Sequence, residues 1–244
     1  HAVLALNMGG GGGYEIWQYT SREAQPPEFE VLPGDLGIYA SIVKSSDIEA
    51  THKYLSERNS RIGEIYPGPD GHNYFFVRDH LSNPIMISES DTFFSRPSGP
   101  HHCGGIYGAI LGVSNMEESL DFYKTLLGYD RILEDKTEEF PDLNELGGQG
   151  IYRRVRLAHS QARKGAFSRL LGPSEIELIQ AMDHEGRRIF KDRMWGDQGY
   201  IHLCFDVVNM DALKSTCQNI GHPFTVDSGD FDMGEAAGRF AYIE

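Results

Sequence analysis

A strand followed by a helix occurs three times along the chain, each time with a similar pattern of apolar and polar positions. The three strand segments are Gly37–Val43, Tyr107–Val113 and Ile201–Val207. In the last of these, apolar residues alternate with histidine, cysteine and aspartate, and this period of two predicts a half-buried strand. Apolar residues then recur at helical spacing from Met116 and from Met210, which predicts a helix after the strand. The repetition of one supersecondary unit predicts a fold assembled from modules.

Further strand-like runs follow the predicted helices. They are Asn73–Val77 and Pro84–Ser88 in one copy, and Tyr152–Ala158 and Glu175–Gln180 in the next. A module is therefore a strand, a helix and about three more strands, a pattern written βαβββ. The predicted fold class is α+β, because helices and strands both recur in every module.

Four modules account for the chain. The first is partial, because residues 1–6 and 14–19 are predicted to be the last two strands of a module whose start is missing. The second module lies near residues 34–92 and the third near 104–183, and a truncated fourth begins near 199. Since a strand that ends abruptly loses its partner, we expect the protein to continue beyond both ends.

A run of loop-forming residues separates the second module from the third. The segment Phe94–Pro100 is rich in serine, proline and glycine, which is typical of a linker. We therefore predict a first domain over residues 1–98 and a second domain over residues 99–244. The first would hold modules one and two, and the second modules three and four.

Composition narrows the functions that need to be considered. The 244-residue chain has a net charge of −14, which repels phosphate backbones, so we expect no nucleic-acid partner. No apolar run reaches the length of a membrane span, so we expect no membrane partner either. Three cysteines without a paired motif argue against a disulfide framework and a cysteine zinc site, and they favour a cytoplasmic location. We expect a monomer or homodimer that acts on a small-molecule substrate.

Four segments resemble the vicinal oxygen chelate superfamily, the group of glyoxalases, bleomycin-resistance proteins and extradiol dioxygenases. They are Val113–Gly128, Glu175–Gln180, Tyr14–Gln18 and Ile201–Leu213, and their order is repeated across nearly the whole chain. The resemblance implies βαβββ modules that pair into two glyoxalase-like, cavity-forming domains of mixed sheet. It also implies a divalent metal ion that binds two neighbouring oxygens of a substrate.

By that resemblance, three residues occupy positions of metal ligands. His202 stands at the first-strand position of the fourth module, Glu177 at the last-strand position of the third, and Glu15 at the last-strand position of the first. Imidazole and carboxylate ligands suit Zn, Ni, Mn or Fe(II). We expect a further ligand from beyond Glu244 or from elsewhere in the protein.

Other positions depart from the family pattern. Gly108 stands where the third module would offer a histidine, and the second module has Ile38 and Met86 at its two ligand positions. Residues 1–98 are therefore predicted to form a degenerate half, with the chemistry after residue 99. Strand alternation turns Gly108 and Gly112 toward the predicted cavity, where their lack of side chains would leave space for a substrate.

Glu177 lies on an otherwise apolar strand, so its buried carboxylate needs a counter-charge. A metal ion would supply one, and so would an arginine, for which Arg153, Arg154 and Arg156 on the preceding strand are candidates. If the site is catalytic, Glu177 and Tyr152 are the predicted groups that move protons.

Two functions fit these residues. The first is a metal-dependent enzyme, a lyase or isomerase of glyoxalase type or a ring-cleaving dioxygenase, in which the metal polarises the substrate oxygens. The second is a metal-free binding protein of bleomycin-resistance type. In that case the aromatic residues Trp17, Tyr39 and Phe205 would hold the ligand, and Glu177 would have a structural role.

Overall fold

The computed structural model describes residues 1–58, 61–69, 71–97, 99–234 and 237–244. The strands are β1 (Ala2–Leu6), β2 (Gly13–Trp17), β3 (Gly37–Ser45), β4 (Tyr66–Pro67), β5 (Asn73–Arg78), β6 (Pro84–Glu89), β7 (Cys103–Gly112), β8 (Arg131–Glu138), β9 (Tyr152–Ala158), β10 (Glu175–Ala181), β11 (Val226–Asp227), β12 (Phe231–Asp232), β13 (Ala237–Gly238) and β14 (Ala241–Tyr242). The helices are α1 (Ile48–Ser56), α2 (Met116–Phe122), which continues as the π-helical turn Tyr123–Leu127, α3 (Pro141–Glu145), α4 (Ser168–Leu171) and α5 (Met210–Asn219).

Eight of the strands form one curled, mixed sheet in the order β4-β5-β6-β3-β7-β10-β9-β8. Two βαβββ modules build it, β3-α1-β4-β5-β6 and β7-α2-β8-β9-β10, with α3 and α4 inserted in the second. In each module the first strand pairs in parallel with the last strand. The predicted α+β class and the predicted modules are confirmed.

The second and third modules share this sheet, because their first strands pair antiparallel at its centre. The β3–β7 ladder runs from Gly37 opposite Gly112 to Ser45 opposite Cys103. The predicted boundary between residues 1–98 and 99–244 therefore falls inside one continuous sheet, in which the second and third modules are neighbours. Ser98, at that boundary, lies outside the described residues. The linker was visible in the composition, but the strand partner across it was not.

The inner face of the curled sheet is packed with apolar and aromatic side chains, among them Tyr39, Phe76 and Met86. The outer face is covered in two places. Helix α1 buries Ile48 against the β5–β6 hairpin, and α2 buries Met116 against β7 and β10. Each helix begins at a side-chain cap, since Asp47 accepts from the amide of Ala50 at 3.0 Å and Asn115 accepts from that of Glu118 at 3.3 Å.

Strands β1 and β2 form an antiparallel hairpin, as predicted for the last two strands of the first module. The glycine run between them is anchored to the central sheet. Gly11 donates its amide to the Leu170 carbonyl at 2.9 Å, and Gly12 exchanges backbone hydrogen bonds with Ile106 at 2.7 and 3.0 Å. These hydrogen bonds fix the loop, and its glycines permit the close approach of two backbones.

Residues 201–207, predicted as the first strand of the fourth module, pair with no strand among the described residues. Their alternation persists nevertheless. Leu203 and Phe205 pack on the cluster beneath α2, which leaves His202 and Cys204 on the other side. In the part of the chain that the structure describes, no helix is both long and apolar enough to cross a membrane.

The space that Gly108 and Gly112 were predicted to leave for a substrate is occupied by backbone. A Cβ atom at Gly108 would collide with the carbonyl oxygen of Glu175, and one at Gly112 with that of Asp35. These glycines serve close strand packing rather than ligand binding.

Substitution of Gly108 separates the two interpretations. Because the neighbouring atom is backbone, we expect Gly108→Ala to lower the free energy of unfolding by about 1–3 kcal/mol, measured by urea denaturation. Gly165→Ala is the control, since a Cβ atom there meets nothing within 4 Å, and its effect should stay within about 0.5 kcal/mol. A Gly108→Ala protein as stable as the wild type would show that the space is open.

Candidate functional site

A buried ion-pair network lies on the inner face of the sheet, with Glu177 of β10 at its centre. One Glu177 oxygen, Oε1, accepts from Nε and Nη2 of Arg154 at 2.9 and 2.6 Å. The other, Oε2, accepts from Nε and Nη2 of Arg156 at 3.1 and 2.8 Å. Both arginines lie on β9, the antiparallel neighbour of β10, and alternate residues of that strand reach the same carboxylate. Glu177 is 1% exposed, so the whole arrangement is desolvated.

A second carboxylate extends the network. Asp142 of α3 accepts from Nη1 of Arg154 at 2.8 and 3.0 Å, and the hydroxyl of Tyr74 donates to the same aspartate at 2.9 Å. Arg156 also lies 3.9 Å from Glu175. The two guanidinium groups thus bind Glu177 and Asp142 directly, while the hydroxyl of Tyr107 donates to the third carboxylate, Glu175.

These charges set the protonation of Glu177. Burial alone would raise the pKa of its carboxyl group, but the positive charges of Arg154 and Arg156 outweigh burial and hold that pKa below its ordinary value. The carboxylate is thus ionised and fully engaged. A metal ion at Glu177 would have to displace two arginines, so the arginine alternative describes this structure and Glu177 does not fit the predicted role of free ligand or proton carrier.

Tyr152, the other predicted proton carrier, is 1% exposed and packs in the inner core. Its hydroxyl donates to the carbonyl of Gln149 at 3.2 Å, and its ring meets His184 edge to face. Burial, and then the charges of Asp183 and Asp35, raise the pKa of this phenol. A shielded phenol with a raised pKa does not suit acid–base catalysis at neutral pH.

Glu15 and His202, by contrast, meet at the outer side of the molecule. The Oε2 atom of Glu15 lies 3.1 Å from Nε2 of His202, although 187 positions separate the two residues. Glu15 stands on β2 of the first module and His202 at the start of the fourth. Their side chains are 40% and 19% exposed, so the pair is open to solvent on the carboxylate side.

Aromatic rings hold the imidazole of His202 in place. Trp195 stacks on it at 5.4 Å between ring centroids and 23° between planes, and Tyr242 meets it edge to face at 5.7 Å. The Nδ1 atom is shielded from solvent and has no hydrogen-bond partner among the described residues, whereas Nε2 faces Glu15. The ring therefore presents one nitrogen to the carboxylate in a fixed orientation.

Two further groups lie near this pair. Burial raises the pKa of the Cys204 thiol, and the negative charges of Glu15 and Asp206 raise it further. Burial also raises the pKa of the Tyr242 phenol, with Glu15 again contributing. Residues 1–58, 61–69, 71–97, 99–234 and 237–244 contain no group of three His, Cys, Asp or Glu side chains placed to hold a metal ion. The described site thus offers two donors of ligand type.

Solved structures of other proteins share the fold of this chain. A proposed dioxygenase from Bacillus subtilis is 14% identical, and the match covers 99% of this chain and 68% of that one with a TM-score of 0.53. The chain has the vicinal oxygen chelate fold. No protein-family model and no curated protein matches it.

Other solved structures with this fold match less of the chain. Glyoxalase I from Zea mays is 17% identical over 64% of this chain and 46% of that one, with a TM-score of 0.37. Methylmalonyl-CoA epimerase from Mycobacterium tuberculosis is 10% identical over 64% of this chain and 94% of that one, with a TM-score of 0.35. The chain spans about half the length of the maize enzyme.

Of the ligand positions that the vicinal oxygen chelate pattern suggested, the structure brings together Glu15 and His202 and places Glu177 in the ion-pair network. Asp142 and Trp195 were not among the residues predicted for the site. Pro141 before an acidic residue is a helix-start signal that could have located α3. No signal in the sequence pointed to Trp195, which reaches His202 from an irregular segment.

Disruption of the ion-pair network should lower the stability of the protein. Glu177→Gln removes the carboxylate that Arg154 and Arg156 share, and Arg156 keeps only Glu175 at 3.9 Å as a counter-charge. We therefore expect the free energy of unfolding to fall by about 3–5 kcal/mol. The control is Glu117→Gln, because Glu117 pairs with Arg153 at 2.6 Å but is 72% exposed, and its loss should stay within about 1 kcal/mol. Equal losses in the two variants, measured by urea denaturation, would contradict the network.

The same variant has a defined pH dependence. The pKa of Glu177 is lower in the folded protein than in the unfolded chain. Above the ordinary glutamate pKa of about 4.3, the ionised carboxylate therefore contributes its full stabilisation. That stabilisation is lost as the pH falls through the lower pKa of the folded state. The difference between wild type and Glu177→Gln in free energy of unfolding should therefore shrink below about pH 4. A difference that grows on acidification would be inconsistent with a lowered pKa.

Proposed function

We propose that this protein is a metal-dependent enzyme of glyoxalase or dioxygenase type whose metal ion is bound by Glu15 and His202. One observation carries the proposal, namely the 3.1 Å contact between these two side chains. Both stand at positions that the family resemblance implies for ligands, one from the first module and one from the fourth.

The donor set fits such an ion. A carboxylate and an imidazole together suit Zn, Ni, Mn or Fe(II), and the open side of Glu15 leaves room for water or substrate oxygens. When bound, the ion would act as a Lewis acid on two neighbouring oxygens of a small substrate. Glu15 would move a proton at that substrate, and His202 would be held in orientation by Trp195.

The inner face of the central sheet is an unsuitable substrate site. Among the described residues, the ion pairs engage both oxygens of Glu177 and the aromatic side chains are buried, so this face is packed core rather than an open cavity. The function therefore belongs to the first and fourth modules, and the second and third support it.

A metal-free binding protein is the second candidate. The observation in its favour is that the described residues supply two ligands where a stable site ordinarily needs at least three. Of the aromatic residues suggested for this role, Trp17 lies on the same face of β2 as Glu15 and is 45% exposed. Tyr39 is buried and Phe205 packs beneath α2, so neither suits a ligand contact.

Metal titration separates the two candidates. We expect the chain to bind one Co²⁺ ion, measured by calorimetry, and expect Glu15→Gln and His202→Ala each to lower the affinity at least about tenfold, because each removes a direct ligand. His184→Ala is the matched control, since His184 pairs with Asp183 at 2.7 Å in a half-exposed surface pair. A wild-type chain that binds no Co²⁺ would favour the metal-free candidate, and an equal effect of all three variants would mean surface binding only.

A further inference from the structure

Three hydroxyl groups connect the two modules that carry Glu15 and His202. Tyr14 of β2 lies 2.6 Å from Ser41 of β3, measured between the hydroxyl oxygens, and Ser41 lies 3.0 Å from the hydroxyl of Tyr200. Tyr200 in turn donates to the carbonyl of Pro84 at 3.0 Å. Tyr14 is the neighbour of Glu15 in sequence, and Tyr200 lies two residues before His202.

The direction of this chain follows from the last link. A carbonyl only accepts, so the single hydroxyl hydrogen of Tyr200 is committed to Pro84. Ser41 must then donate to Tyr200, and Tyr14 must donate to Ser41. Every hydroxyl hydrogen is used once, and such chains of hydrogen bonds strengthen one another.

Ser41 is 6% exposed and lies on a strand at the centre of the sheet, paired on both sides by β6 and β7. The sheet therefore holds Ser41 in position from both sides. The two segments that contact Ser41 have fewer backbone partners, because β2 has one strand partner and residues 200–207 have none among the described residues.

We propose that Ser41 is a positioning residue for the Glu15–His202 pair, acting through Tyr14 and Tyr200. This inference rests on the proposed function only where the measured quantity is metal affinity. The contact between Glu15 and His202 exists without metal. The second module, which has Ile38 and Met86 at the family ligand positions, would then contribute to the site by orienting ligands that other modules supply.

Phenylalanine substitutions test the proposal, because each removes one hydroxyl and keeps the ring. We expect Tyr14→Phe and Tyr200→Phe to lower Co²⁺ affinity about tenfold, the usual effect of losing a group that orients a ligand. Tyr129→Phe is the matched control, since Tyr129 makes a similar hydroxyl pair with Ser174 at 2.8 Å, and its contact with Phe205 is made by the ring, which phenylalanine keeps. Unchanged affinity in Tyr14→Phe and Tyr200→Phe, beside a wild type that binds, would overturn the proposal.

A second readout works without metal. In the wild-type chain we expect Glu15→Gln to shift the ¹⁵N resonances of the His202 imidazole, because the two groups touch. In the Tyr200→Phe background the same substitution should have little effect, whereas in the Tyr129→Phe background it should have its full effect. If Glu15→Gln shifts the resonances equally in all backgrounds, the hydroxyl chain does not position the pair. Loss of Co²⁺ binding in the wild type would count against the proposed function alone.

Discussion

The antiparallel pairing of β3 with β7 is the constraint on which the rest of the structure depends. It joins the first strands of the second and third modules over most of their length, so both modules bury their edges in one sheet. The β1–β2 hairpin and residues 200–207 lie outside that sheet, and Glu15 contacts His202 there.

On the inner face of that sheet, two arginines occupy the surroundings of a carboxylate for which the family pattern implies a metal ion. Glu177 stands where the family pattern implies a metal ligand, yet Arg154 and Arg156 neutralise it with four hydrogen bonds. A buried carboxylate needs a compensating charge, and a guanidinium pair supplies it without a metal. The face that would hold a substrate is consequently a core.

The sequence predicted the modules well because their evidence is local. Alternation along residues 201–207 identified the side of the chain that carries Leu203 and Phe205, and these two side chains are partly buried against the cluster beneath α2. Alternation assigns faces but not partners, so it could not show that β3 pairs with β7. For the same reason, the predicted domains placed Glu15 and His202 apart, in residues 1–98 and 99–244, and their contact could not be foreseen. For Glu177, sequence left a metal and an arginine as equal solutions, and only the cross-strand register to Arg156 distinguishes them.

The central claim is that any metal chemistry of this chain lies at Glu15 and His202 and that the Glu177 position is closed by arginines. Anomalous X-ray diffraction from crystals soaked with Co²⁺ tests it most directly. We expect a metal peak between Glu15 and His202, with Arg154 and Arg156 still bonded to Glu177. A peak beside Glu177 with the arginines displaced would contradict it.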